Sequence, residues 1–134
     1  MDAIIPTLLT PGRRITMVGA SPRPDRPSHG VMARLMRAGF HVTPVNPQAD
    51  EVLGVECAPD LPTAAARGPL GLVDIFRRPA DVPPVVEEAL ALGAEGIWLQ
   101  LGISSAPARA AAEAAGVPYV EDRCIAVELG RLGR

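Results

Sequence analysis

The chain has 134 residues, 15 acidic and 13 basic side chains, a formal net charge of −2 and 3 % aromatics, the size of one domain able to bury about two-thirds of the surface its unfolded form exposes. The acidic balance leaves no whole-chain footprint for a nucleic-acid partner, and nowhere do 18 apolar residues stand together, so no spanning helix and no membrane partner is expected. Every basic residue is Arg; without Lys, Schiff-base chemistry and a Walker-type phosphate lysine are excluded, and anion recognition falls to guanidiniums and backbone amides. GC-rich codon usage would produce the same bias. Cys57 and Cys124 are far apart with no paired spacing, so they read as reduced thiols of a cytoplasmic protein, with neither a disulfide framework nor a metal site.

Residues 3–9 are apolar behind Asp2, a candidate N-cap, and Thr10-Pro11-Gly12 ends them. A short docking helix is expected there, within an N-terminal extension over residues 1–12. A first strand is expected over Arg14–Val18. From Ser28, Val31, Met32, Leu35 and Met36 recur at helical spacing, and Gly39 stands where a C-cap glycine would. His41–Val45 reads as a second strand stopped by Asn46-Pro47, because the residue before a proline is pushed from helix and proline cannot donate to a ladder. Residues 48–70 read as loop with a short helix near Leu61–Ala66. Leu72–Phe76 is a third strand with Asp74 its one polar interruption. Asp81 is expected to cap a helix that carries its prolines in the first turn and runs through Val85, Val86, Ala89 and Leu90 to Gly93. A strand over Gly96–Leu101, a helix over Ala106–Ala115, a strand over Val117–Val120 and a last helix over Cys124–Leu132 complete the reading.

This alternation implies one α/β domain, a parallel sheet with helices on both faces. Ligands of such sheets sit beyond the carboxyl ends of the strands, where strand order reverses. The residues there are Gly19-Ala20-Ser21, Asn46-Pro47-Gln48, Arg77-Arg78-Pro79, Gln100-Leu101-Gly102 and Glu121-Asp122-Arg123-Cys124, and each of these five groups carries a polar or charged side chain. Residues 15–30 have the layout of a first strand, a phosphate-facing loop and a helix start, where unpaired N–H groups and the helix dipole favour anions. NAD fits poorly. The glycine after Gly19 is Gly30, so the Gly-x-Gly-x-x-Gly spacing is missing, and Asn46 stands where an acidic residue would meet the ribose. The longer loop, with Ser21, Arg23, Arg26 and Ser28, suits a more anionic group such as an adenine nucleotide with a 3′-phosphate and a pyrophosphate, because charge-assisted Arg–phosphate bonds are about twice as strong as neutral ones. Arg77 and Arg78 are adjacent and diverge, so one of them at most faces a ligand.

Val18-Gly19-Ala20-Ser21-Pro22 with Pro27-Ser28-His29-Gly30, Pro44-Val45-Asn46-Pro47, Val73-Asp74-Ile75-Phe76-Arg77-Arg78-Pro79, Trp98-Leu99-Gln100-Leu101-Gly102 and Asp122-Arg123-Cys124 resemble the small bacterial CoA-binding proteins. Their domain is similar to the CoA-binding N-terminal domain of the succinyl-CoA synthetase alpha subunit, and the resemblance runs over roughly residues 13–130. It implies a Rossmann-like three-layer α/β/α domain around a mainly parallel five-stranded sheet, with coenzyme A along the strand ends. By this resemblance Gly19, Ala20, Ser21, Arg23, Arg26 and Ser28 face the nucleotide phosphates, and Asn46, Pro47 and Gln48 lie by the adenosine. Phe76, Arg77 and Arg78 flank the adenine or pantetheine, and Leu99, Gln100 and Leu101 line the pantetheine path. Two departures stand out: the synthetase has a lysine near the position of Gln48, and its phosphorylated histidine belongs to a second domain that has no counterpart before Arg134.

The case for chemistry is thinner. His29 lies just before the first long helix, and Cys124 opens the last helix, where a dipole lowers a thiol pKa; either would serve an enzyme acting on a CoA thioester. Asp74 needs a partner, since a buried carboxylate without one shifts its pKa or costs several kcal/mol. Glu121 and Asp122 are adjacent and point apart, so they make no catalytic pair. The leading reading is a non-catalytic CoA or acyl-CoA binding domain acting as carrier, sensor or regulator; the alternatives are the thioester enzyme and a subunit of a CoA-ligase-like complex with a protein partner.

Overall fold

The computed structural model describes residues 2–134, the side chain of Asp2 excepted, so the capping role expected of Asp2 lies outside the described residues. A 3-10 turn over Asp2–Ile4 leads into α1 (Ile5–Leu8). Five strands, β1 (Arg14–Val18), β2 (His41–Val45), β5 (Leu72–Ile75), β6 (Gly96–Leu99) and β7 (Tyr119–Val120), form one sheet of order β2-β1-β5-β6-β7. Every pairing in it is parallel. The expected strand ends shorten because Gln100 turns away, its carbonyl accepting from Ile103 N, and because Val117 and Pro118 approach β6 only through the Pro118 carbonyl. Between β2 and β5 lie β3 (Glu51–Val52), β4 (Val55–Glu56) and α3 (Leu61–Ala66). The β3–β4 pair is a small antiparallel hairpin where the sequence reads only as loop. Its two-residue turn, Leu53-Gly54, has positive φ at both positions, the conformation whose twist matches hairpin strands.

The remaining helices are α2 (Pro27–Arg37), α4 (Val82–Ala91), α5 (Ala106–Ala114) and α6 (Ile125–Arg131). Strand alternation sends Ile15, Met17, Leu72, Trp98 and Val120 to one face of the sheet, where they pack against α1, α2 and α6 through Leu8, Met32, Leu35, Ile125 and Leu129. Val18, Val73, Ile75, Ile97 and Leu99 take the other face, under α3, α4 and α5 through Leu61, Val82, Val86 and Ala108. These are the three layers of a Rossmann-like α/β/α fold. Gly39, at φ +91, closes α2 as a C-cap glycine, with Phe40 N donating back to Leu35 O. Asp81 does not cap α4. A 3-10 turn over Pro79–Asp81 precedes that helix, and the Asp81 carboxylate pairs with Arg78 Nε at 3.2 Å instead.

The sheet borders are short or interrupted. β2 carries Pro44, and its last residue is bridged to Ala58, while β7 is two residues long.

Candidate ligand-binding cleft

Strand order reverses between β1 and β5, and Gly19 and Phe76, the residues that follow them, meet across that gap. Gly19 has φ +86, and a Cβ there would lie 2.2 Å from the Phe76 carbonyl oxygen, so only glycine fits. Its N–H donates to Val45 O at 3.1 Å, and Phe76 N donates to Val18 O at 2.9 Å. The floor of the site is thus backbone, held from both sides.

Beyond Gly19 the chain turns through Ser21–Arg26 into α2. Buried Ser28 turns back so that its Oγ accepts from Ser21 N at 3.1 Å, and Ser21 Oγ accepts from Arg23 N at 3.2 Å. Across the gap, Asn46 Nδ2 donates to Ala20 O at 2.8 Å while its Oδ1 accepts from Gln48 N and Ala49 N at 2.7 and 3.1 Å. Asn46 therefore clamps the loops after β1 and β2 together. A cleft of about 700 Å³ lies between them, bordered by Gly19, Ala20, Ser21, Arg23, Arg26 and Ser28 from the first loop, Asn46, Pro47 and Gln48 from the second, and Phe76 and Arg77 from the third. Among the described residues, three guanidiniums and no carboxylate border it. Arg23 pairs with Asp25 at 3.1 Å on the surface, whereas Arg26 and Arg77 make no ion pair among the described residues.

Arg78, Gln100 and Leu101 lie on a second hollow of about 620 Å³ on the β5–β6 side. Leu99 reaches neither. It is fully buried on the α3–α4–α5 face, because alternation along β6 turns Trp98 and Gln100 toward α2 and α6 and Leu99 away from them. The pantetheine contact expected of Leu99 is therefore corrected. Pro22, Pro27 and Ala49 also border the cleft, and Pro27, Val31, Pro79, Ile103 and Cys124 border the second hollow. The two prolines flank loop arginines already read as ligand-facing; nothing in the sequence marked Ile103, which lies in a turn after β6.

Asp74 is wholly buried in the middle of β5 beside Met17 and Trp98. Gln100 Nε2 donates to its Oδ1, Gln100 Oε1 accepts from Ile125 N at 3.3 Å, and Asp74 Oδ2 has no hydrogen-bond partner among the described residues. Burial pushes the Asp74 carboxyl up to about 7, against the opposing pull of the Gln100 bond. Its partner is a side-chain amide, which ties it to the strand beside it. Glu121 and Asp122 diverge as expected: Glu121 Oε1 accepts from Tyr119 OH at 2.7 Å and Oε2 pairs with Arg109 at 3.1 Å, while Asp122 Oδ1 accepts from Gly102 N at 2.7 Å. His29 is half-buried in the first turn of α2 and borders neither the cleft nor the hollow, whereas half-buried Cys124 stands at the N-cap position of α6. Burial, reinforced by the charges of Asp50 and Glu51, pushes the Cys57 thiol up. Among the described residues no helix is long and apolar enough to cross a membrane.

Fold and cleft define a Rossmann-like α/β domain with a basic site at the carboxyl edge of its sheet, at the reversal of strand order. The model of the CoA-binding domain family matches residues 13–130. A curated relative, the uncharacterized protein YneT of Bacillus subtilis (strain 168), is 38 % identical over 125 residues, 93 % of this chain and 91 % of its own. Among solved structures, a hypothetical protein from Pyrococcus horikoshii OT3 is similar over 100 % of this chain and 93 % of its own, at 36 % identity and a TM-score of 0.89. A Thermus thermophilus protein is similar over 98 % of each chain, at 34 % identity and a TM-score of 0.85. The chain belongs to the CoA-binding domain family.

Proposed function

We propose that this protein binds coenzyme A, free or acylated, in the cytoplasm as a non-catalytic carrier, sensor or regulatory module. The observation that carries the reading is the concentration of Arg23, Arg26 and Arg77 on a carboxylate-free cleft in a chain of this family. Coenzyme A presents a 3′-phosphate and a pyrophosphate, and guanidiniums with loop N–H groups are the donors such groups take. In this reading Ser21, Arg23, Arg26 and Ser28 meet the phosphates, and Asn46, Pro47 and Gln48 frame the adenosine. Phe76, Arg77 and Arg78 flank the turn into pantetheine, whose path follows Gln100 and Leu101.

Calorimetry and thermal shift against CoA, dephospho-CoA, ATP and NAD test it. At 100 times its dissociation constant CoA stabilises by about 2.7 kcal/mol, raising Tm of a chain this size by about 10 °C. CoA outranks dephospho-CoA, and both outrank NAD. No shift with CoA at millimolar concentration overturns the reading. A catalytic version falls to Cys124, the thiol bordering the second hollow; turnover of acyl-CoA thioesters that Cys124→Ala abolishes while CoA still binds would establish it.

A further inference from the structure

The cleft and the second hollow lie side by side as a two-part groove, with Pro27, Phe76 and Arg77 bordering both. Its two ends differ in chemistry. The cleft end is basic. The other end has Arg77 and Arg78 on its border but is walled mainly by apolar side chains, Val31, Phe76, Leu101 and Ile103, and Leu101 leaves 69 % of its surface in water. The one buried polar side chain there, Gln100, is already engaged by Asp74 and by Ile125 N. A groove that is cationic at one end and apolar at the other fits a ligand that is anionic at one end and hydrocarbon at the other. The amides of a pantetheine arm find few partners on this apolar floor, and burying them unpaired is unfavourable, so the arm passes over the hollow along its rim, by Arg77, Arg78 and exposed Leu101, and leaves the floor to what its sulfur carries.

We infer that the apolar end of the groove seats the acyl chain of a CoA thioester, so that acyl-CoA and not free CoA is the preferred ligand. This rests on the CoA reading above and names the class of thioester it takes: a saturated chain of several carbons. Each methylene moved from water onto the floor tightens binding about fourfold, until the hollow is full.

The experiment is calorimetric titration of the intact protein with CoA, acetyl-, butyryl-, hexanoyl- and octanoyl-CoA. Affinity is expected to climb along the series, with octanoyl-CoA displacing CoA one for one and with an increasingly negative heat-capacity change. In Ile103→Asp and Val31→Asp, each checked for a native melting transition, the ratio of octanoyl-CoA to CoA affinity falls toward one. Equal or weaker binding of octanoyl-CoA than of CoA overturns the inference while leaving the CoA reading intact. Octanoyl-CoA binding that CoA does not displace overturns it as well, since the chain then lies elsewhere. Failure of every member of the series to bind overturns the CoA reading itself, and this inference with it.

Discussion

Gln100 Nε2 donates to Asp74 Oδ1 while the Oε1 of the same amide accepts from Ile125 N, so one side chain ties the middle of β5 to the first residue of α6. The arrangement gives the buried carboxyl one partner and leaves its Oδ2 with none among the described residues. Burial raises the pKa of a carboxyl so placed to about 7, so it keeps its proton through the mildly acidic range.

Stability should therefore fall with rising pH through this group. The folded state keeps the proton of Asp74 up to about pH 7, whereas the unfolded chain releases it near pH 4, so the stabilising contribution is complete below about pH 4 and is lost as pH rises to about 7. Asp74→Asn removes the titration. Relative to the parent, the variant should gain about 2–3 kcal/mol between pH 5 and pH 8 in denaturant melts; a constant difference across that range would show that Asp74 is ionised when folded.

Two glycines on the same stretch of chain separate a conformational requirement from a permissive one. Gly19→Ala meets the Phe76 carbonyl at 2.2 Å and a φ of +86. It should destabilise by several kcal/mol and, where it folds, lose CoA-induced thermal stabilisation. Gly30, in α2 with nothing near its missing Cβ, should accept Ala with a gain of about 0.5–1 kcal/mol and unchanged CoA titration.

Arg26→Gln removes a guanidinium that borders the cleft and makes no ion pair among the described residues. A charge-assisted bond contributes about 1.5–3 kcal/mol, so CoA affinity should drop tenfold or more. Its dependence on salt should also flatten. Calorimetry at two ionic strengths checks both, and an unaltered salt dependence would place the phosphates away from this residue.

Trp98 is fully buried between β5 and β7, and its Nε1 donates to Arg123 O at 2.8 Å. Trp98→Phe withdraws that bond and leaves a void, at a cost of about 2–3 kcal/mol, visible as a Tm lower by about 7–10 °C.

Strands and helices were legible in the sequence wherever periodicity and stops agreed, as at Arg14–Val18 and at His41–Val45 before Asn46-Pro47. The β3–β4 hairpin was not, because each strand has two residues and the turn places Leu53, a residue without turn preference, at positive φ. Asp81 misled because a cap signal takes no account of a neighbouring cation, and Arg78 holds its carboxylate. The cleft residues could be read from their positions after the strands, since topology brings strand ends together. The apolar end of the groove could not: Val31 shares the period of the core face, and Ile103 is placed by a turn. Leu99 stands off the groove for a simpler reason: consecutive strand-end residues do not share one surface, because alternate side chains leave it.

The borders of the sheet carry a consequence for how this molecule meets others. Pro44 offers no donor, Val45 is already bridged to Ala58, and β7 ends after two residues. Long unpaired borders are what allow chains to zip together by strand addition and aggregate. This domain presents little such border, so strand addition between copies is disfavoured whether its groove is filled or empty.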